Sequence, residues 1–567
     1  MVRALARSDW EAPAVGEAIG FETIVAGRRI VRSWARREEN ASPRVHRIRV
    51  WQEVDFNALN RPGGIARAVF DIGCGARLDP RTITIFSASG TAHMRRAGRR
   101  FSVRLANGSR VTVADGPWQL VLPDNVPALV AFYLRVLEQQ KRLPFDGRAL
   151  LTGTLQAISY NIAASDGGFK TSLGEWLTLG RDGWLSSIRQ GAEGPVVARR
   201  ITTAPPRWRR LGPTPIATSD NALLREGADG VRERDVSMSY DGQRYWGRLI
   251  SPKSRQQAVA FLIGGSGSHD RFGQSGVIDL GYRDIALGLA KRGVAVLQVD
   301  KPGAGRTRAG NTILRPRFTR TIAVARAWMS RLQELAGLAA PLFLIGHSEG
   351  GQVATVLAGR HSGIAGVCLL ATAYDEIDRV IAEQQKTDLS DLGIERSEAR
   401  RQLRDTRRFF SFVRGKARPA TLPERLKPFA YLVPWYRELL RTSPSRQLSS
   451  LRTPVLILQG AADIQVSPGD ARQIARLARK TSTDVTIEVF EGLDHLMKRS
   501  RPTTNISRYG DRRRRVAPSV IDSLYAWIAS RSAARSRFAP KKHRSHHDER
   551  RQRDKRTRRA RHNARQG

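Results

Sequence analysis

The sequence predicts an α/β fold in two folded parts: an antiparallel, β-rich N-terminal domain, and then a domain with a doubly wound, mostly parallel sheet. Two patterns predict this division. From about Gly20 to Pro252, apolar and polar residues alternate in short runs, as in half-buried antiparallel strands. From about Arg232 onward, runs that are apolar on both faces alternate with helical stretches, which is typical of a buried parallel sheet covered by helices.

The N-terminal part is expected to hold many strands and one helix. Its alternating runs include VHRIRVWQEV, ARAVFDIG, RTITIFSA, RFSVRLA, SRVTVAD and WQLVLP. Tight hairpin turns are indicated at Asn107-Gly108, Asp182-Gly183 and Asp241-Gly242. Asp124 precedes VPALVAFYLRVLEQQ, whose apolar spacing predicts one amphipathic helix near 125–140. No repeat of about 40 to 50 residues is visible, so a propeller is not predicted.

The α/β part begins with two strands, RDVSMSY and RYWGRLI, that meet at Asp241-Gly242. The strands that follow are AVAFLIG, VAVLQVD, PLFLIG, IAGVCLLA, PVLILQG and DVTIEVF. Between Tyr374 and Leu451 the chain becomes charged and helical, which predicts a helical lid insertion over the carboxyl edge of the strands. The predicted domains are an N-terminal extension (1–20), the β-rich domain (21–230), the α/β domain (231–530, with the lid at about 374–451) and a basic tail (531–567).

Composition limits the class of protein. With 567 residues and 41% apolar residues, the chain can bury sizeable cores. We find no uncharged apolar stretch of about 20 residues and no apolar core of a secretory signal, so neither a membrane span nor export is predicted and the cytoplasm is the default location. The two cysteines, Cys74 and Cys368, are too few for a disulfide framework or a zinc site.

The net charge of +44 raises nucleic acid or another polyanion as a partner. Most of the positive charge is arginine scattered through every segment, which a genome-wide bias toward arginine would also produce. The tail after Ser530 is nearly free of large apolar residues and is predicted to be disordered. Polyanion binding through this tail is left open.

The segment PLFLIGHSEGG predicts a nucleophile. Gly346, Ser348 and Gly350 match G-x-S-x-G between an apolar strand and a helix that begins near Glu349. Glycine is needed two residues before and two after the serine, because the sharp turn leaves no room there for a side chain. The turn raises the Ser348 hydroxyl above the sheet, and the Glu349 amide, at a helix N-terminus, is a candidate oxyanion donor.

A serine nucleophile needs a base and an acid to orient that base, and after such an elbow the chain order is Ser, then Asp or Glu, then His. Asp463 follows the strand PVLILQG, and His495 lies in the loop after VTIEVF. Asp463 is therefore the predicted acid and His495 the predicted base. Asp494 is a weaker candidate for the acid, because it is adjacent to His495 and can hardly reach the correct ring nitrogen.

A second oxyanion donor is expected from the loop FLIGGSGSHDRFG. Gly264, Gly265 and Gly267 leave its backbone free to approach a ligand, and by position the Ser266 amide is the candidate donor. A phosphate-binding loop is the alternative interpretation. The pattern G-x-x-x-x-G-K-[ST] is absent here and in the nearby KPGAGRT, which disfavours that alternative.

In this order, GGSGSHDR, VDKPGAGRT, GHSEGG, PVLILQGAADIQV and GLDHL resemble the α/β-hydrolase superfamily, and among its members bacterial carboxylesterases and dienelactone-hydrolase-like enzymes. The resemblance covers roughly Arg232 to Ser530. It implies a Ser–His–Asp triad, no metal or other cofactor, and an acyl-enzyme that water hydrolyses. The sequence departs from the family at Gly264-Gly265, where relatives often have His-Gly.

Hydrolysis of a small carboxylic ester is the leading functional hypothesis, with Ser348, Asp463 and His495 as the triad. One alternative is a serine peptidase of the prolyl-oligopeptidase or aminopeptidase kind. Another is a polyanion-binding protein with a vestigial hydrolase domain. The oligomeric state and the role of the first 230 residues stay open. In the insertion, Phe409, Phe410, Phe412, Trp435 and Tyr436 are candidates either for an acyl pocket or for packing the lid onto the body.

Overall fold

The computed structural model describes most of residues 18–538. The segments outside the described part are 1–17, 39–44, 62–64, 76–79, 88–89, 99, 106–107, 114–119, 123–125, 140–142, 152–155, 166–167, 174, 181–183, 191–195, 207–229, 277, 337–339, 419–421, 423, 443, 450, 482–483, 502, 504 and 539–567. Most of the predicted N-terminal extension, the Asp182-Gly183 turn and most of the basic tail therefore lie outside the described residues. None of the described helices is both long and apolar enough to cross a membrane.

The N-terminal part contains fifteen strands within the described residues. They are β1 (Ala18–Val25), β2 (Arg28–Glu38), β3 (Val45–Asp55), β4 (Ile65–Gly75), β5 (Pro80–Ser87), β6 (Gly90–Ala97), β7 (Arg100–Arg104), β8 (Arg110–Val113), β9 (Leu120–Leu122), β10 (Phe145–Leu151), β11 (Gln156–Ser165), β12 (Gly168–Thr171), β13 (Glu175–Leu179), β14 (Leu185–Gln190) and β15 (Val196–Ile201).

These strands form one sheet in the order β8-β7-β6-β5-β4-β3-β2-β1-β15-β14-β13-β12-β11-β10-β9. Neighbours are antiparallel except for β9 and β10. One helix, α1 (Pro127–Gln139), packs against β1, β2 and β14 and is buried on nearly all sides, as expected for a helix with few polar positions. The expectation of a large antiparallel sheet with one helix is confirmed.

The α/β part contains a second sheet. Its strands are β16 (Val231–Tyr240), β17 (Gln243–Pro252), β18 (Ala258–Ile263), β21 (Val294–Val299), β22 (Leu342–His347), β23 (Ile364–Leu370), β24 (Val455–Gly460) and β25 (Val485–Phe490), and a small hairpin is formed by β19 (Gln274–Ser275) and β20 (Ile278–Asp279). The helices beside the sheet are α2 (Tyr282–Ala290), α3 (Phe318–Ala336), α4 (Glu349–Arg360), α9 (Pro468–Ala478) and α10 (Pro518–Phe538).

The order of the second sheet is β16-β17-β21-β18-β22-β23-β24-β25, and it is parallel from β21 to β25. β16 and β17 form the antiparallel hairpin that Asp241-Gly242 predicted. One apolar core lies under α3, α4 and α9, and a second lies on the opposite face under α2 and α10. The predicted doubly wound α/β sheet is therefore confirmed, with the carboxyl ends of six parallel strands along one edge.

Between β23 and β24 the chain inserts four helices: α5 (Ile377–Asp391), α6 (Arg396–Val413), α7 (Val433–Arg441) and α8 (Pro444–Leu448). A 3-10 helix (Glu424–Leu432) precedes α7, and shorter ones lie at Asn311–Leu314 and Ser507–Gly510. Phe409, Phe410, Val413 and Leu440 form a separate small core within the insertion.

The folded part does not end at Ser530, so the predicted start of the tail needs correction. α10 continues to Phe538. Arg531 forms an ion pair with Asp484 and lies over the Trp527 ring, and Ser532 is buried. These residues contain little apolar surface, so the sequence pattern did not reveal that they extend a helix already docked through Leu524 and Trp527.

Candidate active site

Ser348 lies at a sharp turn between β22 and α4. Its backbone has a φ of 54° and a ψ of −122°, in a region that non-glycine residues rarely occupy. A Cβ atom on Gly346 would lie 2.4 Å from the Gly350 carbonyl oxygen, and one on Gly350 would lie 2.1 Å from the Ile263 carbonyl oxygen. Both glycines are therefore required by close backbone contacts. The turn leaves Ser348 half-buried at the N-terminus of α4.

His495 and Asp463 form a buried pair after β25 and β24. His495 Nδ1 and Asp463 Oδ2 are 2.8 Å apart. Asp463 also accepts hydrogen bonds from the Gln459 side chain and from the Gln465 and Val466 amides, which fix its orientation.

Burial and charge act on the two groups in opposite directions. Burial raises the pKa of Asp463, but the charge and hydrogen bond of His495 outweigh burial and bring that pKa below its usual value. Burial lowers the pKa of His495, but the Asp463 carboxylate outweighs it and raises the His495 pKa. The pair is thus a carboxylate that orients an imidazole and stabilises its protonated form.

Asp494 has a different role in the structure. Its Oδ1 accepts from the Leu496 and Lys498 amides, and its Oδ2 pairs with Arg514. Asp494 therefore holds the turn that carries His495 and does not contact the imidazole through any described hydrogen bond.

The Gly264–Gly267 loop approaches Ser348 closely. A Cβ atom on Gly265 would lie 3.2 Å from Ser348 Cβ, and one on Gly264 would lie 2.3 Å from His269 Nε2. The Gly264-Gly265 departure from the family pattern is thus explained by the space that His269 occupies. Ser266, the candidate donor, is exposed next to this approach.

Two residues that the sequence analysis missed connect this loop to His495. The Gly265 amide donates to the Tyr282 hydroxyl (2.8 Å), which bonds His347 Nδ1 (2.9 Å), and His347 Nε2 bonds the His495 carbonyl oxygen (2.8 Å). Burial lowers the pKa of His347 to about 3, so its imidazole is neutral. Because a carbonyl only accepts, Nε2 carries the proton and Tyr282 donates to Nδ1.

This chain of hydrogen bonds has one consistent direction, from Gly265 through Tyr282 and His347 to His495. The Gly265 amide is occupied by Tyr282, which leaves the next amide, that of Ser266, as the candidate donor toward Ser348. A signal for His347 was present in the sequence, as the residue before the serine in G-x-S-x-G. Tyr282 carried no such signal, because its contact depends on how α2 packs beside β22.

An apolar cavity of about 190 Å³ adjoins the loop at Gly264. Its walls include Phe261, Ile263, Val324, Trp328 and Trp435. Lys301 lies at this wall, donates to the Gly265 carbonyl oxygen and forms an ion pair with Glu349 (3.3 Å).

Of the five aromatic residues singled out in the insertion, only Trp435 lines this cavity among the described walls. Phe409 and Phe410 are buried in the core of the insertion, against which Phe412 and Tyr436 also pack. Within the described residues, no group of three His, Cys, Asp or Glu side chains forms a candidate metal site.

The family model described as serine aminopeptidase, S33 (Hydrolase_4), matches residues 279–499. This range contains Ser348, Asp463 and His495 and the strands from β21 to β25. The C-terminal half of the chain therefore matches an α/β-hydrolase family. This hydrolase half is also similar to human monoglyceride lipase, which is 24% identical over 311 residues, or 53% of this chain and 91% of that protein.

Several solved structures are similar to the α/β-hydrolase half. The esterase Pf2001 from Pyrococcus furiosus is 16% identical and covers 58% of this chain and 97% of its own, with a TM-score of 0.36. A thermostable carboxyl esterase from Bacillus coagulans is 15% identical and covers 53% of this chain and 99% of its own, with a TM-score of 0.35.

Proposed function

We propose that this α/β-hydrolase cleaves small carboxylic esters through an acyl-enzyme on Ser348. The observation that carries the proposal is the buried Asp463–His495 pair (2.8 Å), on a loop whose backbone is bonded to His347, the residue before Ser348. A hydroxyl raised on a strained turn, an oriented imidazole and a glycine-rich loop are the parts that acyl transfer requires.

In the first step the Ser348 hydroxyl attacks the ester carbonyl carbon and His495 takes its proton. The Ser266 and Glu349 amides stabilise the oxyanion; Glu349 begins α4, so its amide is among those with no acceptor within the helix. The intermediate then expels the alcohol, whose oxygen receives the proton from His495. Water hydrolyses the acyl-enzyme by the same steps and releases the acid.

The charges near the site favour an ester over a peptide with a free N-terminus. Recognition of an ammonium group calls for an available carboxylate. Asp300, the carboxylate at the described cavity wall, is fully buried and held by Arg271, and Glu349 is paired with Lys301. The family description as an aminopeptidase keeps peptide hydrolysis as the second candidate.

We further propose that the inserted helices α5–α8 form a lid that contributes to the substrate pocket. Trp435 of α7 supports this, because it lines the cavity and packs edge-on against Phe318 at the start of α3 (ring centroids 6.1 Å apart). The other aromatic residues of the insertion pack in its own apolar core and stabilise the arrangement of its helices: Phe409, Phe410, Phe412 and Tyr436.

Assaying the full chain on p-nitrophenyl esters and on aminoacyl p-nitroanilides tests the proposal. We expect turnover of the esters and a far lower kcat/KM for the anilides. Efficient cleavage of the anilides without turnover of the esters would contradict the ester proposal and support peptide hydrolysis instead.

A further inference from the structure

We propose that the apolar cavity holds the acyl group of the substrate and that the N-terminal sheet domain sets its length through Ile313. This inference rests on the proposed ester hydrolysis. It gives the first 230 residues, whose sequence contains no catalytic motif, a role in substrate choice.

The position of the cavity relative to the reacting groups assigns it to the acyl side. His495 must protonate the alcohol oxygen, so the alcohol leaves toward the His495 loop. The described cavity walls include Gly264 and Lys301, on the side of the oxyanion loop, and no residue of the Asp463 or His495 loops. A group in this cavity therefore extends away from His495, as the acyl chain does.

The size and lining of the cavity indicate the class of acyl group. A cavity needs only about 10–15 Å³ to hold one water molecule. The cavity of about 190 Å³ is many times larger, so it has room for a chain of several carbon atoms or for an aromatic ring. Trp328, Phe261 and Val324 provide an apolar surface, so we expect medium-length or aromatic acyl groups.

Ile313 lines the cavity and also contacts the apolar core of the N-terminal domain. It lines the cavity from the 3-10 helix Asn311–Leu314, and the same side chain packs against the apolar core between the N-terminal sheet and α1. Leu314 packs against that core too, but it is not among the described cavity walls. One wall of the cavity is therefore supported by the N-terminal sheet.

A buried hydrogen bond fixes this segment to the N-terminal domain. The Ala309 amide donates to Ser109 Oγ (2.7 Å), and Ser109, just before β8, is fully buried. The carbonyl oxygen of the preceding residue, Arg308, accepts from the Gln243 side chain of β17. Residues 308–314 are thus held from both domains, and the position of Ile313 depends on contacts outside the hydrolase sheet.

The test measures kcat/KM of the full chain on p-nitrophenyl esters from acetate to laurate. Ile313→Ala deepens the cavity and should raise the ratio of long-chain to short-chain kcat/KM by at least about tenfold, because one methylene in an apolar pocket is worth about 10- to 200-fold. Val324→Phe fills the cavity from α3 and should lower that ratio similarly. Ser109→Ala, which lies in the N-terminal domain, should raise the ratio by loosening residues 308–314.

One control variant separates a change in the cavity from a general effect of substitution in the N-terminal domain. Ser186→Ala on β14 removes an exposed hydrogen bond to the Thr178 carbonyl oxygen, away from the described cavity walls, and should leave the ratio unchanged. Unchanged chain-length preference in Ile313→Ala and Val324→Phe would overturn the acyl assignment while ester hydrolysis stands. A changed ratio in these two with none in Ser109→Ala would overturn the role of the N-terminal domain. A wild-type chain that cleaves no ester would refute both proposals.

Discussion

The hydrolase sheet and the N-terminal sheet differ in what their sequences predict. The sequence of the hydrolase sheet predicts both a fold and a function, whereas the sequence of the N-terminal sheet predicts a fold only. In the hydrolase half, the proposed chemistry requires particular residues at particular strand ends, such as Ser348 after β22 and Asp463 after β24. In the N-terminal half, packing around α1 requires only that apolar residues face one side of fifteen strands. A pattern of alternation predicts the fold of such a sheet but not its role. The role that we propose for it rests on its contacts with residues 308–314.

Removal of the proposed nucleophile or base should have the largest effect on activity. If activity persisted, the motif residues of the hydrolase sheet would not indicate its function and the comparison would fail. Ser348→Ala and His495→Ala should each lower kcat by several orders of magnitude. The reason is that the proposed triad acts as one unit and does not function when either residue is missing. The fold should persist, because neither side chain supports a core. Circular dichroism of both variants provides the control, and the double variant should be no worse than either single one.

Asp463→Asn should reduce kcat by about 10⁴, because the imidazole loses its orientation and electrostatic support. It should also move the pH profile. In the wild type the raised pKa of His495 means that activity falls, as pH decreases, at a higher pH than for an ordinary histidine. Without the Asp463 carboxylate, burial is the largest remaining influence on the His495 pKa and only the weaker charge of Asp494 opposes it, so the acidic limb should move to lower pH. A limb that stays in place would mean that another group titrates.

Tyr282→Phe should have an intermediate effect. It leaves the Gly265 amide and His347 Nδ1 without their partner in a buried site, at a cost of about 1–3 kcal/mol, and it loosens the loop that holds the oxyanion. We expect kcat to fall by about 10- to 100-fold with little change in KM. Tyr525→Phe on α10 is the matched control and should not change kcat. Equal losses of kcat in Tyr282→Phe and Tyr525→Phe would show that the Tyr282 hydroxyl has no specific role in positioning the loop.

Removing the tail should have the smallest effect. Ending the chain after Phe538 should leave the melting temperature and ester turnover unchanged within error. Ending it after Ser530 removes the Arg531 ion pair with Asp484 and the contact of Arg531 with Trp527, and should lower the melting temperature by about 2–4 °C. A large loss of melting temperature in the chain that ends after Phe538 would show that residues 539–567 stabilise the body.

The sequence predicted the two sheets and put forward Ser348, Asp463 and His495 as candidate triad residues, because motif, chain order and periodicity are local properties. It could not predict Tyr282, whose hydroxyl reaches His347 only once α2 packs on the sheet. It also could not decide which insertion aromatics face the site. Phe409 and Phe410 turn into the core of the insertion, whereas Trp435 faces the cavity, and this depends on how the helices dock.

Labelling with a fluorophosphonate probe, followed by peptide mapping, tests the central claim most directly. The probe reacts only with a serine activated by a neighbouring base and stabilised by an oxyanion site. We predict a single labelled peptide that contains Ser348, with no labelling in Ser348→Ala and strongly reduced labelling in His495→Ala. A label on another serine, or unchanged labelling of Ser348→Ala, would contradict the assignment of Ser348 as the nucleophile.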